Sequence, residues 1–469
     1  MYLYICFDVE DLVHPDSDDI PRDIAEMLAD DGIVASMYVV GEKARLWERR
    51  GRTDVIAAVR QHDVGLHTDH HSVHPTVSEY LADKGWADGV AEALRQEAPG
   101  AHDLARIFGS YPSTWATSGS SWAPQIPAAT RRMGLKSNIY SHVRAGETGV
   151  CWFAGQLCFP EVLVIPGAED TYCDDPAFEA GLPVLMEQVE DARRRGLACA
   201  ALFGAHPTRL RYTAFWDSLN FSRGQNTAPS DYRYAPRRDD ATYATALRNL
   251  RRAILAVREL PGVELTSPRA FPGLFRPETG PLAWAEVHAL AQAALDCDQI
   301  SVESPDASAA QALDLMARAL IRLAAGGARP GYLMMQTVLG PVEAPPALQS
   351  PVTVGETELL KLCRELVAHV DATGHLPASL SLDGTTVGPG PLLRAVASAF
   401  LGRDEGQTPH RIALDPGWDE PAIATSLAAD AIYQRLPHWS PHAPDLRLDQ
   451  LALHTRLQSW SLKPAILTR

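Results

Sequence analysis

Over residues 1–270 the apolar positions alternate between short continuous runs and runs spaced three and four apart. "YLYICFDV" has the pattern of a buried strand, and "DDIPRDIAEMLADDG" that of an amphipathic helix stopped by Gly32. "IVASMYVVG", the helix "TDVIAAVRQH" and the strand "DVGLH" follow. Later strands are expected at "KSNIYSH", "VLVIPG", "CAALFGAHP" and "VELTSP", with helices at "AATRRMG", "LMEQVEDARRRG" and "TALRNLRRAILAVREL". This β-then-α order predicts a mainly parallel sheet, open or closed into a barrel. In either form functional groups gather at the C-terminal ends of the strands. Residues 208–240, polar and aromatic, follow a late strand and are expected to wall or cover such a site.

The pattern changes at the Pro-rich junction "SPRAFPGLFRPETGP". Beyond it come apolar helices with short connectors and an internal repeat. Gly327 and Gly374, Pro330 and Pro377, Leu333 and Leu380, and Met335 and Leu382 recur at one constant offset, and a degenerate third copy surrounds Pro409. Each unit is too small to bury its own face, so the copies are expected to pack together. The expected organisation is a barrel over 1–270 and a mainly α-helical domain of about three short repeats over 281–469. The tail "LHTRLQSWSLKPA" is expected to be a capping helix.

Composition narrows the class without naming a function. With 46% hydrophobic and 21% charged residues, the 469-residue chain matches ordinary globular proteins. No apolar run approaches the ~20 residues of a membrane span. A net charge of −16 disfavours nucleic acid as a partner. The seven cysteines are scattered without a Cys-x-x-Cys pair, which argues against a disulfide framework or a cysteine zinc site. A strand at the first residues, with no leader pattern, gives the expectation of a cytoplasmic protein.

Two stretches carry candidate chemistry. In "CFDVED" strand alternation points Asp8 and Glu10 the same way, with Asp11 just beyond. "HDVGLHTDHHSVHP" spends five of sixteen histidines on residues 62–75. His67 and His71, four apart, share a face if the segment is a helical turn, and His70 and His74 repeat that spacing. Two imidazoles and one carboxylate form a catalytic zinc set with a position left for water. A solvated helix start is the plainer alternative. His206, in "ALFGAHP" at a late strand end, converges on the same place if the sheet closes into a barrel.

"ICFDVED", "HDVGLHTDHHSVHP", "SSWAPQIPAATRRMG" and "ALFGAHP", in that order, resemble the motifs of the polysaccharide deacetylase family (NodB-homology domain, carbohydrate esterase family four) over roughly residues 1–270. The resemblance implies an α/β fold, a distorted (β/α)7 barrel, with a divalent metal ion, Zn2+ by the family pattern. It implies Asp8 as catalytic base, His67 and His71 as metal ligands and His206 as the acid that protonates the leaving amine. Trp122 is then a groove-lining residue; His70 and His74 either replace His67 and His71 as the ligand pair or, in the register that fits the family better, support the ligands or contact substrate, His74 foremost. The family's Asp-Asp pair is "DVED" here, so the metal carboxylate is Glu10 or Asp11; alternation and the family's Asp-x-Asp variants favour Glu10. "STWATSGSSW" lacks the arginine that orients the base, and Asp170 in "GAEDTY" is a candidate for that orienting network.

The implied function is metal-dependent hydrolysis of carbon–nitrogen bonds, foremost deacetylation of an N-acetylated sugar or sugar conjugate. Two alternatives stand beside it. One is an allantoinase-like amidohydrolase of a small nitrogenous metabolite. The other is a non-catalytic glycan- or partner-binding protein on the same scaffold. "VDATGHLPASLSLDGTTVGPGPLLRA" resembles, less closely, the pseudomurein-binding repeat; a helical interaction or homo-oligomerisation domain is the simpler expectation there.

Overall fold

Ten strands of the first 270 residues build one sheet in the computed structural model: β1 Tyr2–Val9, β2 Ser36–Val39, β3 Asp63–Leu66, β4 Thr114–Ala116, β5 Ser137–Ile139, β6 Cys151–Phe153, β7 Gln156–Phe159, β8 Val162–Leu163, β9 Cys199–Ala205 and β10 Glu264–Leu265. The structure describes residues 1–143, 149–159, 162–301, 304, 306–408, 410–434 and 436–468. Along the sheet the order is β6-β7-β5-β4-β3-β2-β1-β9-β8, with β10 paired to the start of β1. Every bonded pair from β7 to β8 is parallel, so the expected parallel α/β sheet is present. Among the described residues, eight strands, where the resemblance implied seven, run parallel along that path, and its two ends are not paired to each other.

The sheet nevertheless curls. In a flat sheet β1 and β7, five spacings apart, would be ~24 Å from each other. The rings of Tyr4 on β1 and Phe159 on β7 lie 6.4 Å apart. Tyr4, Cys6, Tyr38, Ile139, Phe159 and Phe203 form this inner core. The alternate residues Leu3, Ile5, Phe7 and Val9 face outward into the core shared with the helices. Continuing the inner row of β1 past Cys6 leads to Asp8, so alternation aims this carboxylate into the barrel mouth.

Beyond the junction, the repeats are strand–helix–strand units. The strands are β11 Gly280–Ala283, β12 Tyr332–Met335, β13 Val352–Val354, β14 Leu380–Leu382, β15 Thr385–Val387 and β16 Ile412–Leu414. They pair antiparallel as β11 with β12, β13 with β16, and β14 with β15. The helices Ala309–Ala324, Glu356–Thr373 and Pro389–Asp404 pack through Leu313, Leu320, Leu366, Val396 and Phe400 into a second core. Pro409, the marker of the third copy, lies outside the described residues.

The expected single helical domain over 281–469 is divided. Leu427, Ile432, Leu436, Leu451 and Leu462 belong to the barrel's core, and β17 Lys463–Pro464 pairs with β6. A Pro-rich junction marks where the chain leaves the barrel; no composition change marks its return, because both cores take the same apolar residues.

Gly41 makes a close approach near the candidate site. The helix Gly41–Arg49 begins against the loop after β3, with Gly41 N donating to Thr68 O at 3.1 Å. A Cβ on Gly41 would sit 2.0 Å from Asp69 Oδ1 and 2.9 Å from Gly100 Cα. Gly41→Ala is expected to lower the unfolding free energy by about 1–3 kcal/mol, read from the denaturant midpoint.

Candidate metal centre

Glu10 follows β1 directly and is buried. Trp216 Nε1 donates to its Oε1 at 3.2 Å. Its other oxygen, Oε2, lies 2.8 Å from His71 Nε2 and 3.5 Å from His67 Nε2. These are the spacings of groups that share an ion: with ligand bonds near 2.0–2.2 Å, neighbouring donors lie ~3 Å apart.

The histidines do not reach this place on a helix. Residues 67–75 form no helix, and both Thr68 and His71 have positive φ, 60° and 52°. Such values cost ordinary residues on the order of 1 kcal/mol or more, and persist where the surroundings impose them. The hydrogen bonds that hold them here are local. His71 N donates to Thr68 Oγ1 at 2.9 Å, Thr68 Oγ1 meets Ser118 Oγ at 2.8 Å, and Ser118 Oγ donates to His67 O at 3.0 Å. The loop after β3 is thereby tied to the loop after β4. The spacing of four that reads as helical in the sequence is realised by a turn.

The far side of each ring fixes its tautomer. His67 Nδ1 donates to Ala116 O at 3.3 Å. Ser72 Oγ gives its proton to Asp217 Oδ2 at 2.7 Å, so it must accept from His71 Nδ1 at 2.6 Å. Both Nε2 atoms then present lone pairs, and both are buried with no hydrogen-bond partner among the described residues. Two orphaned, buried nitrogens turned on a carboxylate oxygen fit a cation. Burial opposes ionisation of Glu10, yet the His71 and His206 imidazoles hold its carboxyl well below the usual range.

Asp8 lies beside this trio. Its Oδ2 is 3.8 Å from His67 Nε2 and 3.7 Å from His206 Nε2, while Tyr140 OH donates to Oδ1 at 3.1 Å. Burial raises its pKa, against the pull of His67 and His206. On the opposite side, Glu169 Oε1 receives both the backbone N and Nδ1 of His206, each at 2.7 Å. Burial would favour neutral His206, but Glu169 and then Glu10 outweigh it and raise its pKa to about 10. His206 is also the most open member of the group, with 25% of its side chain exposed.

The structure gives each residue expected from the sequence a position. Asp8, Glu10, His67, His71 and His206 converge. Asp11 does not join them. Its Oδ1 accepts from Val13 N and His14 N, while Oδ2 is held by His14 and Thr208, so it only shapes the turn. Glu169, not its neighbour Asp170, orients His206; Asp170 faces Arg209 and Arg238 instead. His70 is exposed beside Asp69. His74 spends Nδ1 on Glu79 and Nε2 on Phe221 O, pinning the 208–240 segment to the histidine loop and leaving neither nitrogen for substrate. Trp122 lines no groove: it is fully buried between His142 and Phe153. His62 closes the preceding helix and bridges Ala35 N and Ala25 O.

Sequence inspection misses Tyr140, Glu169, Trp216, Asp217 and Trp439, whose ring centroid lies 5.7 Å from that of His71. The only signal for Trp216 and Asp217 is their place in the aromatic 208–240 segment.

No protein-family model matches the chain, and no curated protein matches it. Solved structures do. A family 4 carbohydrate esterase from Streptomyces lividans, in complex with acetate, is 12% identical over 54% of this chain and 88% of its own, with a TM-score of 0.28. The peptidoglycan deacetylase PdaC from Bacillus subtilis is 12% identical over 57% of this chain and 87% of its own, with a TM-score of 0.29. A 4-alpha-glucanotransferase from Thermococcus litoralis is 13% identical over 59% of this chain and 41% of its own, with a TM-score of 0.38. At these scores the likeness decides neither topology nor activity, and both rest on the geometry above.

Glu10→Gln and His67→Ala are expected to remove most of the divalent metal bound by purified protein, whereas Asp11→Asn keeps it; elemental analysis checks this. The His74–Glu79 pair should show itself in stability instead. His74 holds the Glu79 carboxyl down at about 2, and Glu79 raises His74 in turn. The Glu79 contribution is complete above its ordinary value of ~4.5 and is lost as pH falls toward 2; the His74 contribution is complete below ~6.5 and is lost as pH rises through its raised value. Glu79→Gln should therefore destabilise most between pH ~4.5 and ~6.5, on the order of 2 kcal/mol, measured by denaturation across pH.

Proposed function

We propose that the protein is a metal-dependent hydrolase of amide bonds, acting as a deacetylase of N-acetylated sugars or sugar conjugates. The observation that carries this reading is the pair of orphaned, buried imidazole nitrogens facing Glu10, with Asp8 and a Glu169-bound His206 on either side. Glu10, His67 and His71 would hold a divalent cation, Zn2+ by donor type, which when bound polarises an amide carbonyl and acidifies a water.

The chain's own groups supply the proton transfers. Asp8, held by Tyr140, takes a proton from the attacking water. Its position between His67 and His206 supports attack by a water held between the ligand set and the acid. His206, kept protonated and turned by Glu169, gives its Nε2 proton to the leaving nitrogen as the C–N bond breaks. One amide and one water become one carboxylic acid and one amine. Burial of the centre excludes bulk water, and Phe203 and Phe215 flank the acid at 4.8 Å and 4.9 Å.

Acetate release from a panel of N-acetylated sugars, with ureides alongside, tests the assignment. Asp8→Asn is expected to lower kcat by about 10²–10⁴ with metal content intact. Turnover of ureides alone would move the protein to small-metabolite amide hydrolysis. Absence of any metal-dependent hydrolysis would leave a binding protein.

A further inference from the structure

Asp69 stands midway between His67 and His71, in the turn whose Thr68 and His71 both have positive φ. It is buried between two helices, Gly41–Arg49 and Trp86–Phe108. The slot is open only because both helices place glycine there. A Cβ on Gly41 or on Gly100 would lie 2.0 Å or 2.7 Å from Asp69 Oδ1. Both helices also bond the residue. Its backbone N donates to Glu97 Oε2 at 3.0 Å, and its carbonyl accepts from Glu42 N at 2.9 Å. Arg45 Nη1 lies 2.8 Å from Oδ1.

Glu97 is the costly member of this arrangement. It lies inside the helix Trp86–Phe108, where Val90, Ala93, Ala101 and Leu104 join the apolar core, and only 3% of it is exposed. Burial, followed by the Asp69 charge, pushes its carboxyl up to about 7. An apolar side chain would avoid that cost, so packing gives no reason for a carboxylate at this position. Its hydrogen bonds do. Besides Asp69 N, Oε2 accepts from Trp115 Nε1 at 3.3 Å, and Oε1 accepts from Tyr80 OH at 3.0 Å. Trp115 is on β4, and Tyr80 is on the short helix Val77–Leu81 that follows the histidine loop. One carboxylate therefore joins the centre of the loop to the strand beside it and to the helix after it.

The loop needs such an anchor. Positive φ at Thr68 and His71 costs on the order of 1 kcal/mol or more at each, and relaxation of either residue would move one imidazole relative to the other. The Thr68–Ser118 bond holds the turn at one end. We infer that Glu97 and Arg45 are positioning residues of the metal centre, which fix Asp69 and thereby hold the turn that aims His67 and His71 at Glu10. The inference rests on the reading of Glu10, His67 and His71 as metal ligands and deepens it: ion affinity is governed by two helices that supply no ligand.

The experiment measures Zn2+ affinity of the full chain by competition with a chromophoric chelator, beside the denaturant midpoint of the metal-free protein. Glu97→Leu is expected to weaken Zn2+ binding about 10- to 100-fold. Glu97→Gln, whose amide oxygen can still accept from Asp69 N, is expected to keep most of the affinity. A lower midpoint in Glu97→Leu with unchanged Zn2+ affinity means a merely structural role and overturns the assignment. Equal loss of affinity in both variants overturns it too, since the Asp69 bond would not be what Glu97 supplies. If Glu97→Leu does not fold, Arg45→Met on the more open flank decides: weaker Zn2+ binding supports the assignment and unchanged binding overturns it. A parent protein that binds no Zn2+ overturns the metal-centre reading, and the positioning role with it.

Discussion

A buried carboxylate oxygen facing two buried, unpartnered imidazole nitrogens is an arrangement that needs a positive charge. Glu10 Oε2, His67 Nε2 and His71 Nε2 place two lone pairs against an anion in a buried position. Without a cation, a proton must serve, and Glu10 accordingly raises the His71 pKa even against burial. An ion bound there would compete with a proton for one nitrogen, so that its uptake would be coupled to proton release. The surrounding polar groups are arranged around that requirement. Trp216 takes the outer oxygen of Glu10, the Ser72–Asp217 pair sets the tautomer of His71, and the Ala116 carbonyl sets that of His67.

The curl of the sheet is what allows such distant residues to meet. Glu10 ends the first strand, the histidines follow the third, Tyr140 follows the fifth, and His206 follows the ninth. In a flat sheet their side chains would be spread along one edge. Rolled until the rings of Tyr4 and Phe159 touch, the same edge becomes the rim of a cup, and every loop leaving it points toward one centre. The aromatic inner core thus carries functional weight although none of its rings touches the metal ligands.

Most of the strands, their parallel order and the meeting of Asp8, Glu10, His67, His71 and His206 were legible because each rests on a local pattern: apolar runs, alternation along β1, and histidines spaced around a strand end; the short strands β4, β6 and β7 were not. What the sequence hid depends on chirality and on distance. The positive φ of Thr68 and His71 turns a spacing of four into a loop rather than a helix, and no periodicity distinguishes the two. Glu169 and Asp170 are adjacent and chemically alike; only the phase of the short helix Ala168–Tyr172 decides which meets His206. Trp122 and Trp439 show the same limit from the other side, since one indole is enclosed by the barrel's own packing while the other arrives from more than three hundred residues away.

The return of the tail bears on the order in which the molecule is made. Residues 1–270 hold every proposed metal ligand and proton-transfer group, but the core beneath them is completed by Leu427, Ile432, Leu436, Leu451 and Leu462. The barrel's wall beside His71 and its last neighbouring strand on β6 arrive only after the three repeats have left the ribosome. The barrel's core and its sheet edge at β6 are thus finished by residues that lie beyond all three repeats in the chain, so docking of the tail and completion of the barrel are one event.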